Sequence, residues 1–454
     1  MGFRKDFVWG AANASYQVEG APREEGKGLS IWDVFCREDG KIYENQNGDI
    51  SCDQYHRYRE DVKMMKDIGI QAYRFSISWP RILPDGEGEV NARGLEYYDN
   101  LVDELLANNI QPYITLYHWD LPYELQKKGG WMNPDIPELF YKYAAILAKH
   151  FSDRVEHFIT INEPQCIAGL GYLTGVHAPG LKVGAAGFFT IWHNLLKAHG
   201  MAVKAIREHA VRPVKIGMAP CSALYYPASE SEADIMAARK ATFHLTNNSL
   251  EDCVWNIALW CDPVFRQEYP KEVYEYFGEY LPEITKEDMA LISQPLDFYG
   301  QNMYNAVMVK ADKNGNPVRV KRPEGFPKTA IQWPVTPECM YWAPRFLSER
   351  YQKPLIITEN GMSSHDWIAL DGKVHDSSRI DFMHRYLKEY KRGANEGIDL
   401  LGYFSWSSMD NFEWAYGYSE RFGLIYVDYQ TQKRTMKDSG YFYRDVISCN
   451  GENL

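Results

Sequence analysis

A chain of 454 residues is long enough for two or three ordinary domains, or for one large α/β barrel with long loops. With 45% apolar and 24% charged residues it can bury a sizeable core, which argues against disorder, and no apolar run approaches the ~20 residues of a membrane span. The net charge is −12, from 49 Lys+Arg against 61 Asp+Glu with no long basic run, which makes nucleic acid or an anionic membrane an unfavourable main partner.

Taken in chain order, short β-rich runs alternate with amphipathic helical patterns. The expected strands are "FVWGAAN" (7–13), "QAYRFSIS" (71–78), "QPYITLYHW" (111–119) and "VEHFITIN" (155–162), then "VKIGMAP" (214–220), "DFYGQNMY" (297–304), "PLIITEN" (354–360) and "LLGYFSW" (400–406). Several are apolar on both faces, as parallel strands covered by helices must be. Between them, "DQYHRYREDVKMMKDIG" puts Tyr55, Tyr58, Val62 and Met65 on one helix face and ends at Gly69. "GLEYYDNLVDELLANN" does the same with Leu95, Tyr98, Leu101 and Leu105, and "SSRIDFMHRYLKEYKRGANEG" precedes the eighth strand. Eight strand–helix units fit a closed (β/α)8 TIM barrel. A doubly wound sheet would want a Gly-rich phosphate turn after its first strand, and "ASYQVEG" stands there instead. No composition shift or linker divides the chain, so a single domain over residues 1–454 is expected, with long loops near 20–50 and 221–296 building the pocket.

Eight cysteines, at 36, 52, 166, 221, 253, 261, 339 and 449, form no CxxC pair and no zinc-finger set. They read as mostly buried free thiols in a reducing compartment. The start "MGFRKDFVWG" has no apolar signal core, so a cytoplasmic location is expected. The oligomeric state is left open, a homo-oligomer included.

In a TIM barrel, side chains at strand C-termini point into the active site. "FITINEP" ends its strand on Asn162 and Glu163, and "PLIITENG" ends on Glu359. The other strand ends supply Gln17, Arg74, His118, Trp119, Asn302 and Tyr304, with Trp406, Glu413 and Trp414 at and beyond the eighth; the fifth strand offers nothing obvious. A single Glu at a strand end is more often a salt-bridged or solvated carboxylate, and a lone His118 or Trp333 more often packs. Two Glu converging on one mouth, among amides, imidazole and indoles, favour catalysis. A carboxylate pair performs glycoside hydrolysis when one member is protonated and the other ionised, and Arg74 is a suitable cation for keeping one ionised. The 14% aromatic content fits either a Tyr-rich core or a cleft for sugar rings. No HExxH, GxSxG or P-loop is present; no metal or cofactor is expected.

The stretches "FVWGAANASYQVEG", "YRFSISWPRILP", "TLYHWDLP", "TINEP", "DFYGQNMY", "ITENG" and "GYFSWSSMDNFEWAYGYSERFGLIYVDY" together resemble glycoside hydrolase family one, the β-glucosidase family, over essentially the whole chain. The resemblance implies a retaining double displacement on β-linked sugars, with Glu163 as acid/base, Glu359 as nucleophile and a carboxyl separation of ~5–5.5 Å. It implies that Asn162 touches the hydroxyl beside the reacting carbon, that Tyr304 and Arg74 attend Glu359, and that Gln17, His118 and Trp119 bind the sugar. Trp406, Glu413 and Trp414 fall on the floor and far end of the glycone pocket, and Trp333 on the aglycone platform. Against the family pattern, Met303 replaces an aromatic, and Ser408 and Met409 replace leucines.

The expected activity is hydrolysis of terminal β-D-glucosyl residues from cello-oligosaccharides or aryl and alkyl β-glucosides. The alternatives are a 6-phospho-β-glucosidase, or a broader β-glucosidase/β-galactosidase/β-fucosidase. Phosphoglycosidase relatives replace the Glu-Trp pair kept here as Glu413 and Trp414. A non-catalytic sugar binder would have lost one Glu, and thioglycosidase relatives carry Gln where Glu163 stands. Glu413 is expected as an ionised acceptor of sugar hydroxyls.

Overall fold

The computed structural model describes residues 2–454. Eight strands, Val8–Asn13, Ala72–Ser76, Gln111–Tyr117, His157–Asn162, Lys215–Ala219, Tyr299–Asn302, Leu355–Asn360 and Leu400–Trp406, lie within the eight expected runs. All of their ladders are parallel, and the first strand sits between the second and the eighth. The fifth and sixth strands close the ring without a regular ladder. At that seam the Asp297 N–H donates to Ile216 O at 2.9 Å and the Asn302 N–H to Pro220 O at 3.0 Å. Gly300 permits the approach, because a Cβ there would meet Met218 O at 2.5 Å. The second, fourth, sixth and seventh strands are buried at every position, which is why their sequences show no alternation.

The outer helices bury one stripe each. Gln54–Ile68 turns Val62, Met65 and Ile68 inward, leaves Tyr55 and Tyr58 half-buried, and ends at Gly69 with φ 84°, the left-handed conformation a C-terminal cap requires. Ala92–Ala107 buries Tyr98, Leu101 and Leu105 and is capped by the Asn91 side chain, which accepts from the Arg93 N–H. The long loop after the fifth strand carries five helices, from Glu232–Phe243 to Lys286–Ile292. It also contributes Tyr225–Pro227 to a small sheet with Val307–Ala311 and Pro317–Arg319, which lies outside the expected strands. Six of the cysteines are buried, while Cys221 and Cys449 are partly accessible. No helix among the described residues is long and apolar enough to cross a membrane.

The segment after the eighth strand is tied down by buried charges. Lys437 Nζ donates to Asp410 Oδ1 at 2.6 Å and Asp366 Oδ2 at 2.5 Å, Arg421 reaches Asp410 Oδ2 at 2.7 Å, and Arg379 reaches Asp366 at 2.8 Å. Asp410 stands three residues before Glu413, so this network positions the far end of the pocket. Removing the central cation while leaving its carboxylates buried costs more than the pair contributes. Lys437→Met is therefore expected to destabilise the fold by about 3 kcal/mol. The check is a lowered urea midpoint at unchanged slope.

Candidate active site

The two glutamates leave their strands at irregularities. The seventh strand slips register against the sixth between Ile357 and Glu359, and the fourth slips against the fifth between Ile159 and Asn162. Such bulges re-aim side chains at a barrel rim. Glu163 itself has φ 43°, uncommon for a residue with a Cβ, and is held there by its N–H bond to Ala219 O at 2.8 Å and by Pro164 starting the next helical turn. Trp119 (φ 79°) and Trp414 (φ 48°) are held in the same region. Beyond Glu359, Gly361 passes directly over the Trp406 carbonyl, where a Cβ would sit 1.8 Å from the oxygen. The Glu359 turn and the Trp406 floor can adjoin only because that residue is glycine.

One hydrogen-bond chain links both carboxyl groups. Arg74, 1% exposed, donates from Nη1 to Glu359 Oε1 at 2.6 Å, from Nη2 to Asn162 Oδ1 at 2.5 Å and from Nε to Thr115 Oγ1 at 3.0 Å. Tyr304 OH donates to Glu359 Oε2 at 2.7 Å. Asn302 Nδ2 donates to Asn162 Oδ1 at 3.0 Å and to Glu163 Oε1 at 2.8 Å, and Thr358 Oγ1 fixes the amide by donating to Asn302 Oδ1 at 2.7 Å. Asn162 Nδ2 pairs with His118 Nε2 at 2.9 Å, and Trp119 Nε1 donates to Asn162 O at 3.1 Å. Burial, with Arg74 nearby, holds His118 well below the usual histidine pKa, so it is neutral. Its ring packs on both Trp406 and Trp414, with centroids 5.8 and 5.9 Å away.

The environments separate the two carboxyls. Burial and the charge of Glu359 push Glu163 up to about 7, only partly opposed by Asn302, Cys166 and Arg74. Burial raises Glu359 as well, but Arg74 and Tyr304 oppose it through two short bonds to its oxygens. The cation and the phenol both pair with Glu359, so this arrangement favours the charged form on Glu359 and the proton on Glu163.

Both open into one cavity of about 610 Å³. His118, Trp119, Asn302, Tyr304, Trp333, Trp406, Glu413 and Trp414 line it with them. Gln17, Arg74 and Asn162 stand behind that wall. Gln17 donates from Nε2 to Phe412 O at 2.7 Å and leaves Oε1 buried without a partner. Trp333 packs on Tyr304 with ring centroids 5.0 Å apart. Met303, where an aromatic was the family pattern, is buried and also lines the cavity.

Two expectations are corrected. Glu413 is not a simple ionised acceptor: burial and the neighbouring Glu359, Glu420 and Glu163 push it up to about 8. The fifth strand is not silent, because Cys221, just past its end, faces Cys166 and Glu163 across the cavity wall. His177, Leu170, Val176 and Trp255 also line the cavity and were not singled out from the sequence. They come from the loops after the fourth and fifth strands, where no local pattern marks them.

A buried proton donor and a buried carboxylate facing one aromatic-walled cavity suit acid-assisted displacement on a sugar. The profile of glycosyl hydrolase family 1 matches residues 1–452. The chain is 48% identical over 451 residues to the 1,4-beta-D-glucan glucohydrolase of Thermotoga neapolitana, covering 99% of each chain. It is 46% identical over 451 residues to beta-glucosidase A of Thermotoga maritima, covering 99% of this chain and 98% of that one. A solved structure of the beta-glucosidase from Thermotoga maritima in complex with glucoimidazole superposes with a TM-score of 0.90 at 45% identity, covering 99% of both chains. Fold, rim chemistry and whole-length similarity agree: the protein is a glycoside hydrolase, and the chain belongs to glycosyl hydrolase family 1.

Proposed function

We propose that the chain is a retaining β-glucosidase acting on terminal, non-reducing β-D-glucosyl residues of cello-oligosaccharides and of aryl or alkyl β-glucosides. The observation that carries this reading is the unequal pairing of two carboxyls on one cavity: Glu359 accepts from the Arg74 guanidinium and from Tyr304, while Glu163 meets only the neutral Asn302 amide and Cys166 thiol. Glu359 attacks the anomeric carbon while Glu163 gives its proton to the leaving oxygen. The new carboxylate of Glu163 is stabilised by the Asn302 amide at 2.8 Å. Glu163 then takes a proton from water, which attacks the glycosyl–Glu359 ester and releases the sugar with its configuration retained. Arg74 and Tyr304 hold Glu359 in line and stabilise it again as the leaving carboxylate.

Trp406 provides a flat face for the glucose ring. Glu413, with Gln17 beside it at 3.5 Å, supplies polar atoms for hydroxyls at the far end. Trp333 is placed for the aglycone. The enzyme works as one catalytic domain over the whole chain, in the cytoplasm.

The 6-phospho-β-glucosidase reading is disfavoured by the same pocket end. A phosphate dianion at that end would find no cation, because residues 405–420 contain no Lys or Arg. The nearby Arg421 is already committed to Asp410 and to Val427 O. Desolvating a dianion without a cation costs about 3 kcal/mol or more. The expected result is hydrolysis of 4-nitrophenyl β-glucoside at a kcat/KM at least about 100-fold above that of its 6-phosphate. Initial rates on both, with the β-galactoside and cellobiose alongside, test this. Preference for the 6-phosphate would mean that the pocket end has been misread.

A further inference from the structure

The thiols of Cys166 and Cys221 sit against Glu163. Cys166 Sγ is 3.2 Å from Glu163 Oε2 and 3.8 Å from Cys221 Sγ, and the three ligand atoms all lie within 4.8 Å of one another. The sulfur–sulfur separation is that of two thiolates on one tetrahedral zinc ion, and the Cys166–Glu163 contact is close to the sulfur–oxygen spacing such a site has. Bonds of about 2.3 Å to sulfur and about 2.0 Å to a carboxylate oxygen at tetrahedral angles place two sulfurs about 3.8 Å apart, and sulfur and oxygen about 3.5 Å apart. All three residues line the cavity, so an ion from solvent reaches them and a fourth position stays open to water. The chain brings them together only through the fold: Cys166 lies on the first turn after the fourth strand, and Cys221 follows the fifth.

We propose that Glu163, Cys166 and Cys221 form a binding site for one thiophilic divalent cation of the Zn2+ class, and that its occupation switches the enzyme off. Binding replaces the two thiol protons and the carboxyl proton of Glu163 with the metal, releasing up to three protons and involving no redox change. Glu163 can then neither donate a proton to the leaving group nor accept one from water, an effect that rests on its acid/base role.

The test uses the full-length chain, stripped of metal, with Zn2+ for inhibition and Co2+ as a spectroscopic probe. Wild type is expected to bind one Co2+ with a thiolate charge-transfer band, to lose activity in step with Zn2+ binding, and to regain it with a chelator. Cys449→Ser, which removes the other partly accessible thiol, should behave alike. Cys166→Ala and Cys221→Ala should each lose the band and need at least about 10-fold more Zn2+ for half-inhibition, measured against their own metal-free activity. Absence of the band in wild type, or equal Zn2+ sensitivity in all four proteins, would overturn the site. A band that depends on both thiols but leaves activity intact would mean that the metal does not engage Glu163 and would overturn the switch, while the acid/base role of Glu163 is tested separately by Glu163→Gln.

Discussion

Glu359→Ala is expected to lower kcat by at least about 10⁴-fold, because it removes the only group placed to form the glycosyl–enzyme bond. Glu359 is 3% exposed and fixed by Arg74 at 2.6 Å and Tyr304 at 2.7 Å. The deletion also leaves a small space beside a guanidinium, which suits a compact anion. Added azide should occupy it and attack an activated β-glucoside from the vacated face, giving an α-glycosyl azide. Product analysis by NMR distinguishes this from restored hydrolysis. Near-normal hydrolysis by Glu359→Ala without any added anion would exclude Glu359 as nucleophile.

Glu163→Gln is expected to cost roughly 10²–10⁴-fold on substrates with poor leaving groups. An activated aryl leaving group needs little help in the first step, so a burst of phenol should precede slow turnover while the glycosyl–enzyme accumulates. The pH profile carries the same information. The acid must be protonated to act, so the rate falls as pH rises through the pKa of Glu163, which lies at about 7 in the free enzyme. That alkaline limb should appear in wild-type kcat/KM and vanish in Glu163→Gln. An unchanged limb in the variant would assign it to another group and contradict the role.

Much of this was legible in the linear chain for a physical reason. Parallel strands buried on both faces leave unbroken apolar runs, and a carboxylate that ends such a run, as Glu163 and Glu359 do, is visible as an exception. The partners of those carboxylates were legible as strand-end residues, but not their depth. Gln17, Arg74 and Asn162 stand behind the cavity wall, a depth that tertiary packing sets and no local pattern marks. The raised pKa of Glu413 was not legible, since it depends on burial and on Glu359, Glu420 and Glu163 acting from three different segments. Cys166 and Cys221 are 55 residues apart and become neighbours only when the fourth and fifth strands pair. The small sheet around Val307–Ala311 was missed because its short strands are partly exposed and carry no buried run.

The stereochemistry of the first product tests the double displacement most directly. Two inversions at the anomeric carbon, first by Glu359 and then by a water activated by Glu163, restore the starting configuration. Proton NMR during rapid hydrolysis of an aryl β-glucoside should therefore show β-glucose first, with the α anomer rising only as mutarotation proceeds. First appearance of the α anomer would mean a single displacement by water, and would contradict a covalent role for Glu359.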